Sequence, residues 1–262
     1  MIDIHSHILP AQDDGSDSVE TSLAMLQMAA HAGTTDIVAT PHANPEYQFD
    51  PPQVLAKIAE LQRLAGETPR IHYGCDFHLT PENIDDSLRH PDKYSINHRG
   101  YLLVEFSDAF IPKSTTDIFG AMLDAGIHPI ITHPERNPLL RKRFEDLEDW
   151  VRRGCSLQVT AQSLLGSFGN RAKDFSRTLM SRRLVRFLAS DAHDLKYRTT
   201  DLNPARDFVC NEYGAETAQL LLVDNPRAAL EGKSLDGGGS GRRKKRWFLP
   251  SGILFGRREA SL

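Results

Sequence analysis

The sequence predicts an α/β fold whose parallel strands close into a somewhat irregular barrel of the (β/α) type. Short apolar runs, often rich in β-branched residues, alternate along the chain with segments of helical pattern, as expected of repeated βα units. Seven such units fall within about the first 235 residues, which suits a closed barrel. No G-x-G-x-x-G motif follows the first predicted strand, and this disfavours the alternative, an open doubly wound sheet.

The predicted strands are short and apolar, which is the pattern of strands buried on both faces of a parallel sheet. In chain order they cover residues 2–5, 36–40, 71–76, 101–106, 129–132, 156–160 and 185–190. Because their connections are too long for hairpins and carry helical patterns, we expect all of them to run parallel.

Helices with recognisable ends lie between the strands. Four of them are predicted over residues 18–32, 52–65, 116–125 and 144–153. The first begins beside Asp17 and Ser18, residue types that cap helix N-termini, and the second opens with prolines. Each of the four is followed by a glycine, the usual residue just beyond a helix C-terminus.

The charge distribution separates a long acidic body from a short basic tail. Residues 237–262 carry a net charge of +6, so the other 236 residues carry −10 within the overall −4. An acidic body is a poor ligand for nucleic acid, whose phosphates need accumulated cations. No apolar run approaches the roughly 18 residues of a membrane-spanning helix. Three cysteines without a C-x-x-C pair fit a reducing cytoplasm, so we expect a cytoplasmic protein without a secretory signal.

Composition predicts a single domain over residues 1–235 and a tail over residues 236–262. The tail opens with a Gly-rich linker, continues with five consecutive basic residues at 242–246, and then turns aromatic and apolar from Trp247. Two interpretations stay open: a disordered, solvated tail, or a segment that lies on the anionic inner face of a membrane.

Residue types that commonly ligate metals recur at or just after the ends of the predicted strands. They are His5, His7, His42, Asp76, Glu105, His133, Asp191 and His193, with Asp13 and Asp14 close behind His7. The carboxyl ends of parallel barrel strands meet at one face, so these side chains are expected to converge. Imidazole mixed with carboxylate suits Mn, Fe or Zn, and the set is too large for one ion. The sequence therefore predicts a site for two or three metals.

Taken singly, these residues have simpler explanations. A His-x-His pair such as His5 and His7 often arises by chance, whereas an acid inside an apolar strand, such as Glu105, is costly unless it is paired or ligates a cation. The remaining histidines are expected at the surface or in packing contacts; they are His31, His72, His78, His90, His98 and His128.

The pattern favours a metal-bound hydroxide as the nucleophile. None of the three cysteines has an arginine six residues later to cradle phosphate, and G-x-S-x-G, H-E-x-x-H and P-loop motifs are absent. Arg136, three residues beyond His133, is a candidate for binding phosphate through its forked guanidinium. Alternatively, Arg136 is an ordinary surface arginine or forms an ion pair with Glu135.

Six motifs occur in an order that resembles a known family. They are IDIHSHILP at 2–10, DDG at 13–15, ATPH at 39–42, LVE at 103–105, ITHPERN at 131–137 and ASDAH at 189–193. The chain resembles the PHP (polymerase and histidinol phosphatase) superfamily. More closely, it is similar to the metal-dependent protein-tyrosine phosphatases of bacterial capsule and exopolysaccharide synthesis. The similarity covers residue 1 to about residue 230 and leaves out the tail.

The resemblance implies a distorted (β/α)7 TIM-like barrel of PHP type with a trinuclear centre, usually manganese-activated, with Fe, Zn or Co as alternatives. It assigns His5, His7 and Asp191 to one ion, Glu105 and His133 to a second, and Asp14, His42 and His193 to a third. Asp76 stands where the family usually has a bridging glutamate, and Arg136 matches the phosphate-binding arginine.

The activity implied is hydrolysis of phosphotyrosine by a hydroxide that bridges the metals, with His42 or His193 as an optional general acid. The implied partner is a membrane-associated bacterial tyrosine autokinase that controls polysaccharide synthesis. Three alternatives stay open: a small-molecule phosphomonoesterase such as a histidinol phosphatase, a polymerase-associated nuclease, and a non-catalytic scaffold held by its tail.

Overall fold

The computed structural model describes residues 1–235, so the predicted tail at residues 236–262 lies outside the described residues. The strands are β1 (Ile2–Ser6), β2 (Asp36–Ala39), β3 (His42–Ala43), β4 (Arg70–Tyr73), β5 (Asp76–His78), β6 (Tyr101–Glu105), β7 (His128–Thr132), β8 (Ser156–Thr160) and β9 (Val185–Ala189). The α-helices are α1 (Val19–His31), α2 (Pro51–Ala65), α3 (Pro81–Arg89), α4 (Thr115–Asp124), α5 (Phe144–Arg153), α6 (Ala161–Leu165), α7 (Gly169–Ser181), α8 (Asn203–Tyr213), α9 (Ala215–Gln219) and α10 (Asn225–Glu231). Short 3₁₀ turns at Ile96–His98 and Leu140–Lys142 and a π-helical turn at Leu220–Asp224 complete them.

The strands pair in parallel in two arcs, ordered β1-β2-β4 and β3-β5-β6-β7-β8-β9. The arcs join because β3 continues β2 after a short break and β5 continues β4, which leaves seven strand positions around the barrel. On the other side, the Asp191 amide donates to the His5 carbonyl at 2.9 Å, and Ser6 bridges Ala192. The structure thus confirms the predicted distorted seven-stranded barrel.

One predicted strand, 71–76, is wrong in its extent, because the chain breaks between β4 and β5. Gly74 lies at the break, and a Cβ there would meet Val38 Cγ1 at 2.6 Å, so only glycine fits against β2. The neighbouring strand breaks at the same level, where Pro41 has no amide hydrogen to donate. The Asp76 amide then donates to the Pro41 carbonyl at 3.1 Å, and this contact starts the second arc.

The four predicted helices match α1, α2, α4 and α5 to within about a residue at each end. Ser18 caps α1, its hydroxyl accepting a hydrogen bond from the Thr21 amide at 3.2 Å. Among the described residues, no helix is both long and apolar enough to cross a bilayer.

The barrel interior below the carboxyl ends of the strands is filled with apolar side chains. Ile4, Leu103, Ile130 and Phe187 come from four different strands and are fully buried in one cluster, which α10 covers through Leu230. This packing is the layered interior expected of a (β/α) barrel. It forms the floor beneath the polar side chains at the carboxyl ends of the strands.

Candidate metal centre

All nine side chains predicted as metal ligands converge at the carboxyl-terminal face of the barrel. Their donor atoms fall into four overlapping groups, each with all donors within 4.8 Å of one another. The groups are His7, Asp14, His42 and His193; His42, Asp76, His78 and Glu105; His5, His7 and Asp76; and His5, His133 and Asp191. The predicted convergence is therefore observed.

Asp76 occupies the middle of the cluster. Its Oδ2 atom lies 3.5 Å from His5 Nε2, 3.9 Å from His7 Nε2 and 3.2 Å from His42 Nδ1. The carboxylate is fully buried, and among the described residues neither oxygen has a hydrogen-bond partner of good geometry. A single carboxylate that reaches imidazoles on β1 and β3 has the position of a bridging ligand.

Asp14 defines one side of the cluster. Its Oδ1 atom lies 3.2 Å from His42 Nε2 and 3.4 Å from His193 Nε2, and its side chain is half exposed. Sequence reasoning from the residues alone left the choice between Asp13 and Asp14 open. The structure places Asp14 against the imidazoles, while Asp13 accepts a hydrogen bond from His7 Nδ1 at 2.7 Å and so turns His7 Nε2 towards the cluster.

Gly15 explains the DDG motif. A Cβ at this position would lie 2.2 Å from the His7 carbonyl oxygen, so the loop can approach β1 only with glycine there. The Ser16 amide donates to that carbonyl at 3.0 Å. The tight loop is what carries Asp13 and Asp14 back onto the barrel face.

On the opposite side, Glu105, His133 and Asp191 complete the cluster. His133 Nε2 lies 3.5 Å from Glu105 Oε1, and His5 Nε2 lies 3.4 Å from Asp191 Oδ1. His133 and Asp191 have φ angles of 31° and 51°, a strained region for residues with a Cβ. Such strain costs about 1–3 kcal/mol per residue and is typical of functional sites, here directly after β7 and β9.

His78 joins the cluster, although the sequence predicts it only in packing contacts or at the surface. Its Nε2 atom contacts Glu105 Oε2, and its ring packs edge-on to His42 with the centroids 5.3 Å apart. The available signal was its spacing, because residues two apart on a strand point to the same side and His78 follows Asp76 by two.

Two supporting residues were also missed. Gln158, in the middle of β8, faces His5 Nδ1 through its Oε1 atom at 3.1 Å, which leaves His5 Nε2 directed at the cluster. Arg198 donates to Asp191 Oδ2 at 2.6 Å and to the Asp191 carbonyl at 3.2 Å. A polar residue inside the apolar strand 156–160 was a signal for Gln158, whereas Arg198 lies in a loop without periodicity.

Burial and neighbouring charges set the protonation of the imidazoles. Burial together with the nearby His193 lowers the pKa of His7 to about 4, so its ring is neutral at pH 7 and has a lone pair for a metal. Burial acts in the same direction on His5, but the Asp191 and Asp76 carboxylates outweigh it and raise that pKa to about 9. A metal that binds His5 must therefore displace a proton.

The donor set fits divalent transition-metal ions. Besides the oxygens of Asp76, the His42 Nδ1 and His193 Nε2 atoms are buried and, within residues 1–235, lack a hydrogen-bond partner. Buried polar atoms normally have partners, and shared cations would supply them here. Mixed imidazole and carboxylate ligands in overlapping groups suit ions such as Mn, Fe and Zn.

Arg136 lies beside this cluster and is mostly buried. A guanidinium nitrogen donates to Asp191 Oδ2, and the guanidinium carbon lies 4.4 Å from the centre of the Phe168 ring. The simpler alternatives fail, because Glu135 turns away to accept hydrogen bonds from the Thr160 amide and the Ser163 hydroxyl. Arg136 is therefore held against the cluster rather than at the open surface.

A cleft of about 680 Å³ opens next to the cluster. Its lining includes Glu105, His133 and Arg136, whereas His42 and His193, the predicted general acids, do not line it. The general-acid role of either histidine stays a prediction. The cleft brings a cationic fork and candidate metal ligands to one wall, where a phosphate group could touch both.

The family model for capsular polysaccharide synthesis, CpsB/CapC, matches residues 1–231. The chain belongs to the CpsB/CapC family. Among curated CpsB/CapC relatives, the tyrosine-protein phosphatase YwqE of Bacillus subtilis is 33% identical over 239 residues, covering 90% of this chain and 93% of the relative. The tyrosine-protein phosphatase CpsB of Streptococcus pneumoniae is 30% identical, covering 88% of this chain and 98% of the relative.

Solved structures agree with this membership. A crystal structure from a study of YwqE and the pneumococcal CpsB, described as metal-dependent tyrosine phosphatases, superimposes with a TM-score of 0.84 at 31% identity. That match covers 93% of this CpsB/CapC chain and all of the solved one. An organophosphorus hydrolase matches with a TM-score of 0.56 at 12% identity, which shows the barrel fold alone. The resemblance stated from the sequence motifs is confirmed.

Proposed function

We propose that this chain is a metal-dependent protein-tyrosine phosphatase. The observation that carries the proposal is the cluster of four overlapping imidazole and carboxylate groups, with Arg136 on the wall of the adjoining cleft. Family membership supports it, because the curated relatives are named tyrosine-protein phosphatases. The reaction is hydrolysis of a phosphoric monoester.

The residues that would hold two or three divalent ions share the carboxyl-terminal face of the barrel. They are His5, His7, Asp14, His42, Asp76, Glu105, His133, Asp191 and His193, with His78 as an additional candidate. When bound, divalent ions lower the pKa of water and neutralise charge on phosphate oxygens. Manganese is the ion that we propose, with Fe, Zn or Co as alternatives that the same ligands accept.

The chain's own groups have distinct tasks in this scheme. Arg136 would bind phosphate oxygens through its remaining donors and stabilise the charge they carry in the transition state. Asp191 holds that guanidinium in place from one side. Tyrosinate, with a pKa of about 10, leaves with little protonation, so His42 or His193 would add only modest assistance as a general acid.

We further propose that the phosphotyrosine protein is a membrane-associated bacterial tyrosine kinase and that the enzyme acts in the cytoplasm. The match to a capsular polysaccharide synthesis family supports this assignment. The basic residues at 242–246 would bring the enzyme to an anionic membrane surface. Truncation after Leu235 is then expected to abolish binding to anionic liposomes while turnover of a soluble peptide is kept.

The experiment that tests the activity uses metal-depleted full-length protein, with Mn, Fe, Zn or Mg restored in turn. We expect restored turnover on a phosphotyrosine peptide, faster than on the matched phosphoserine peptide or on histidinol phosphate. Turnover on histidinol phosphate alone would contradict the protein substrate and leave a small-molecule phosphatase. Stoichiometric metal binding without turnover of any substrate would contradict the enzyme and favour a scaffold.

A further inference from the structure

Phe168 occupies a position that the proposed reaction does not yet use. It lies in the short connection between α6 and α7, is partly buried, and lines the same cleft as Arg136. Its ring faces the Arg136 guanidinium at 4.4 Å, within the range of a cation–π contact. Phe168 therefore covers one face of the group assigned to phosphate binding.

The connection that carries Phe168 is a defined turn. Gly166, with a φ of 96°, ends α6 in the left-handed region, and Gly169, with a φ of 84°, begins α7. The Gly169 amide donates to the Gly166 carbonyl at 2.9 Å, and the Ser167 amide donates to the Gln162 carbonyl at 3.1 Å. These contacts fix the backbone on both sides of Phe168.

The segment before Phe168 is also tied to the segment that holds Arg136. Glu135, fully buried, accepts hydrogen bonds from the Thr160 amide at 3.0 Å and from the Ser163 hydroxyl at 2.7 Å. Because Glu135 precedes Arg136 directly and Ser163 lies in α6, one buried carboxylate sets the distance between the two segments. The ring and the guanidinium thus meet through backbone geometry rather than by chance at a flexible surface.

Arginine carries five N–H donors in a plane, and an aromatic ring against one face leaves the edges free. Asp191 accepts from one edge, so the ring and the carboxylate together restrict the orientation of the guanidinium. We propose that Phe168 is a positioning residue that holds Arg136 ready to bind the phosphate of the substrate. The proposal rests on the proposed function, because it assigns Arg136 to phosphate.

The test measures binding rather than turnover, by calorimetry on the metal-loaded full chain. The probes are inorganic phosphate and a peptide that carries the non-hydrolysable analogue phosphonomethylphenylalanine. F168L is expected to weaken binding of both probes roughly 3- to 30-fold, the range a cation–π contact supplies, while F168Y and F168W keep wild-type affinity. F208L is the matched control, because Phe208 faces Arg177 at 4.7 Å and does not line the cleft.

A double-mutant cycle separates positioning from direct contact. In an R136A background, F168L is expected to change phosphate affinity by less than about twofold, because its effect passes through Arg136. Wild-type affinity in F168L, or an equal loss with and without Arg136, would overturn the proposal. If F168L is too unstable to remain folded in the assay, F168M supplies the same comparison, since methionine keeps the bulk of the side chain without an aromatic face.

The two proposals fail in different ways. Absence of phosphotyrosine turnover with every metal would contradict the tyrosine phosphatase, yet inorganic phosphate would still report whether Phe168 acts through Arg136. Normal turnover with unchanged phosphate affinity in F168L would contradict only the role of Phe168 and would leave the tyrosine phosphatase in place.

Discussion

The two ends of the barrel use the same residue types in opposite ways. At the amino-terminal end, Asp36 Oδ1 accepts a hydrogen bond from His72 at 2.9 Å and forms an ion pair with Arg70 Nε at 3.1 Å, while its other oxygen accepts from the Thr35 hydroxyl at 2.8 Å. At the carboxyl-terminal end, Asp76 lies among imidazoles and, within the described chain, has no hydrogen bond on either oxygen. One carboxylate is satisfied by its own chain, and the other is arranged for a ligand.

The histidines show the same contrast. His72 places one ring nitrogen on Asp36 and the other 3.2 Å from the Asn97 amide, so both are used within the fold. His42 instead has a carboxylate near each nitrogen, Asp14 at 3.2 Å and Asp76 at 3.2 Å. Residue type does not separate the two environments. Position along the strand does, because barrel chemistry gathers where parallel strands end.

The largest effect is expected from removing the central negative charge of the metal cluster, because this makes the carboxyl-terminal end of the barrel lose its ligand-binding character. D76N keeps the size of the side chain but replaces a carboxylate that faces three imidazoles. We expect fewer bound ions per chain and a fall in turnover of more than about 100-fold. Removing only a group that hydrogen-bonds to a metal ligand already costs about 10- to 100-fold in metal affinity or activity, and Asp76 is itself a candidate ligand. Metal content by mass spectrometry and kcat on a phosphotyrosine peptide measure the two effects.

D76E is the matched variant, because it keeps a carboxylate at this position and lengthens the side chain by one methylene. Its metal content and turnover are expected to stay within about tenfold of wild type, because the carboxylate is retained and only its reach changes. If D76N bound as many ions as wild type, with unchanged kcat, Asp76 would not be a bridging ligand.

Gln158 offers a smaller effect at the same end of the barrel. Q158M removes the acceptor from His5 Nδ1 and frees the ring to turn, so we expect metal affinity to fall about 10-fold. Q158E keeps an acceptor and is expected to bind metal at least as tightly as wild type. Titration of metal-free protein with Mn gives both affinities, and equal affinity for Q158M and wild type would contradict the orienting role.

Much of this contrast was predictable, and the failures have a common physical origin. Short apolar runs and their ends predict which face of the barrel carries His5, Glu105, His133 and Asp191, because the parallel strands all end at that face. The breaks after β2 and β4 depend on tertiary contact, here the fit of Gly74 against Val38, which no local pattern encodes.

His78 and Arg198 were missed for related reasons. The chain breaks before β5, and β5 then runs from Asp76 to His78, so the His78 side chain lies on the same side as that of Asp76. The predicted strand 71–76 ended two residues before His78 and therefore did not include it. Arg198 reaches Asp191 from a loop seven residues further on, and the path of a loop follows from its contacts rather than from periodicity. The sequence therefore predicts candidate ligands at the ends of apolar runs better than the residues that support them.

The smallest effect is expected at the amino-terminal end of the barrel, where a substitution should change the stability of the fold without changing metal binding. D36N removes the charge that Arg70 and His72 contact, and we expect a loss of about 1–3 kcal/mol in the free energy of unfolding at pH 7, typical of hydrogen bonds to a charged group. Metal content and turnover are expected to stay at wild-type values, because Asp36 begins β2 and its side chain lies at the far end of the barrel from the cluster.

The pH dependence of that loss follows from the sign of the pKa shift. Burial alone would raise the pKa of Asp36, but hydrogen bonds from His72 and Thr35 and the charge of Arg70 hold it below its usual value. The folded state then binds fewer protons than the unfolded state, so Asp36 contributes stability above the unfolded pKa of about 3.9 and loses it as pH falls through the folded pKa. Urea unfolding of metal-free wild type and D36N should differ most at neutral pH and converge below about pH 4. A constant difference across this range would mean that Asp36 acts through packing rather than charge, and the two ends of the barrel would then differ less than their contacts indicate.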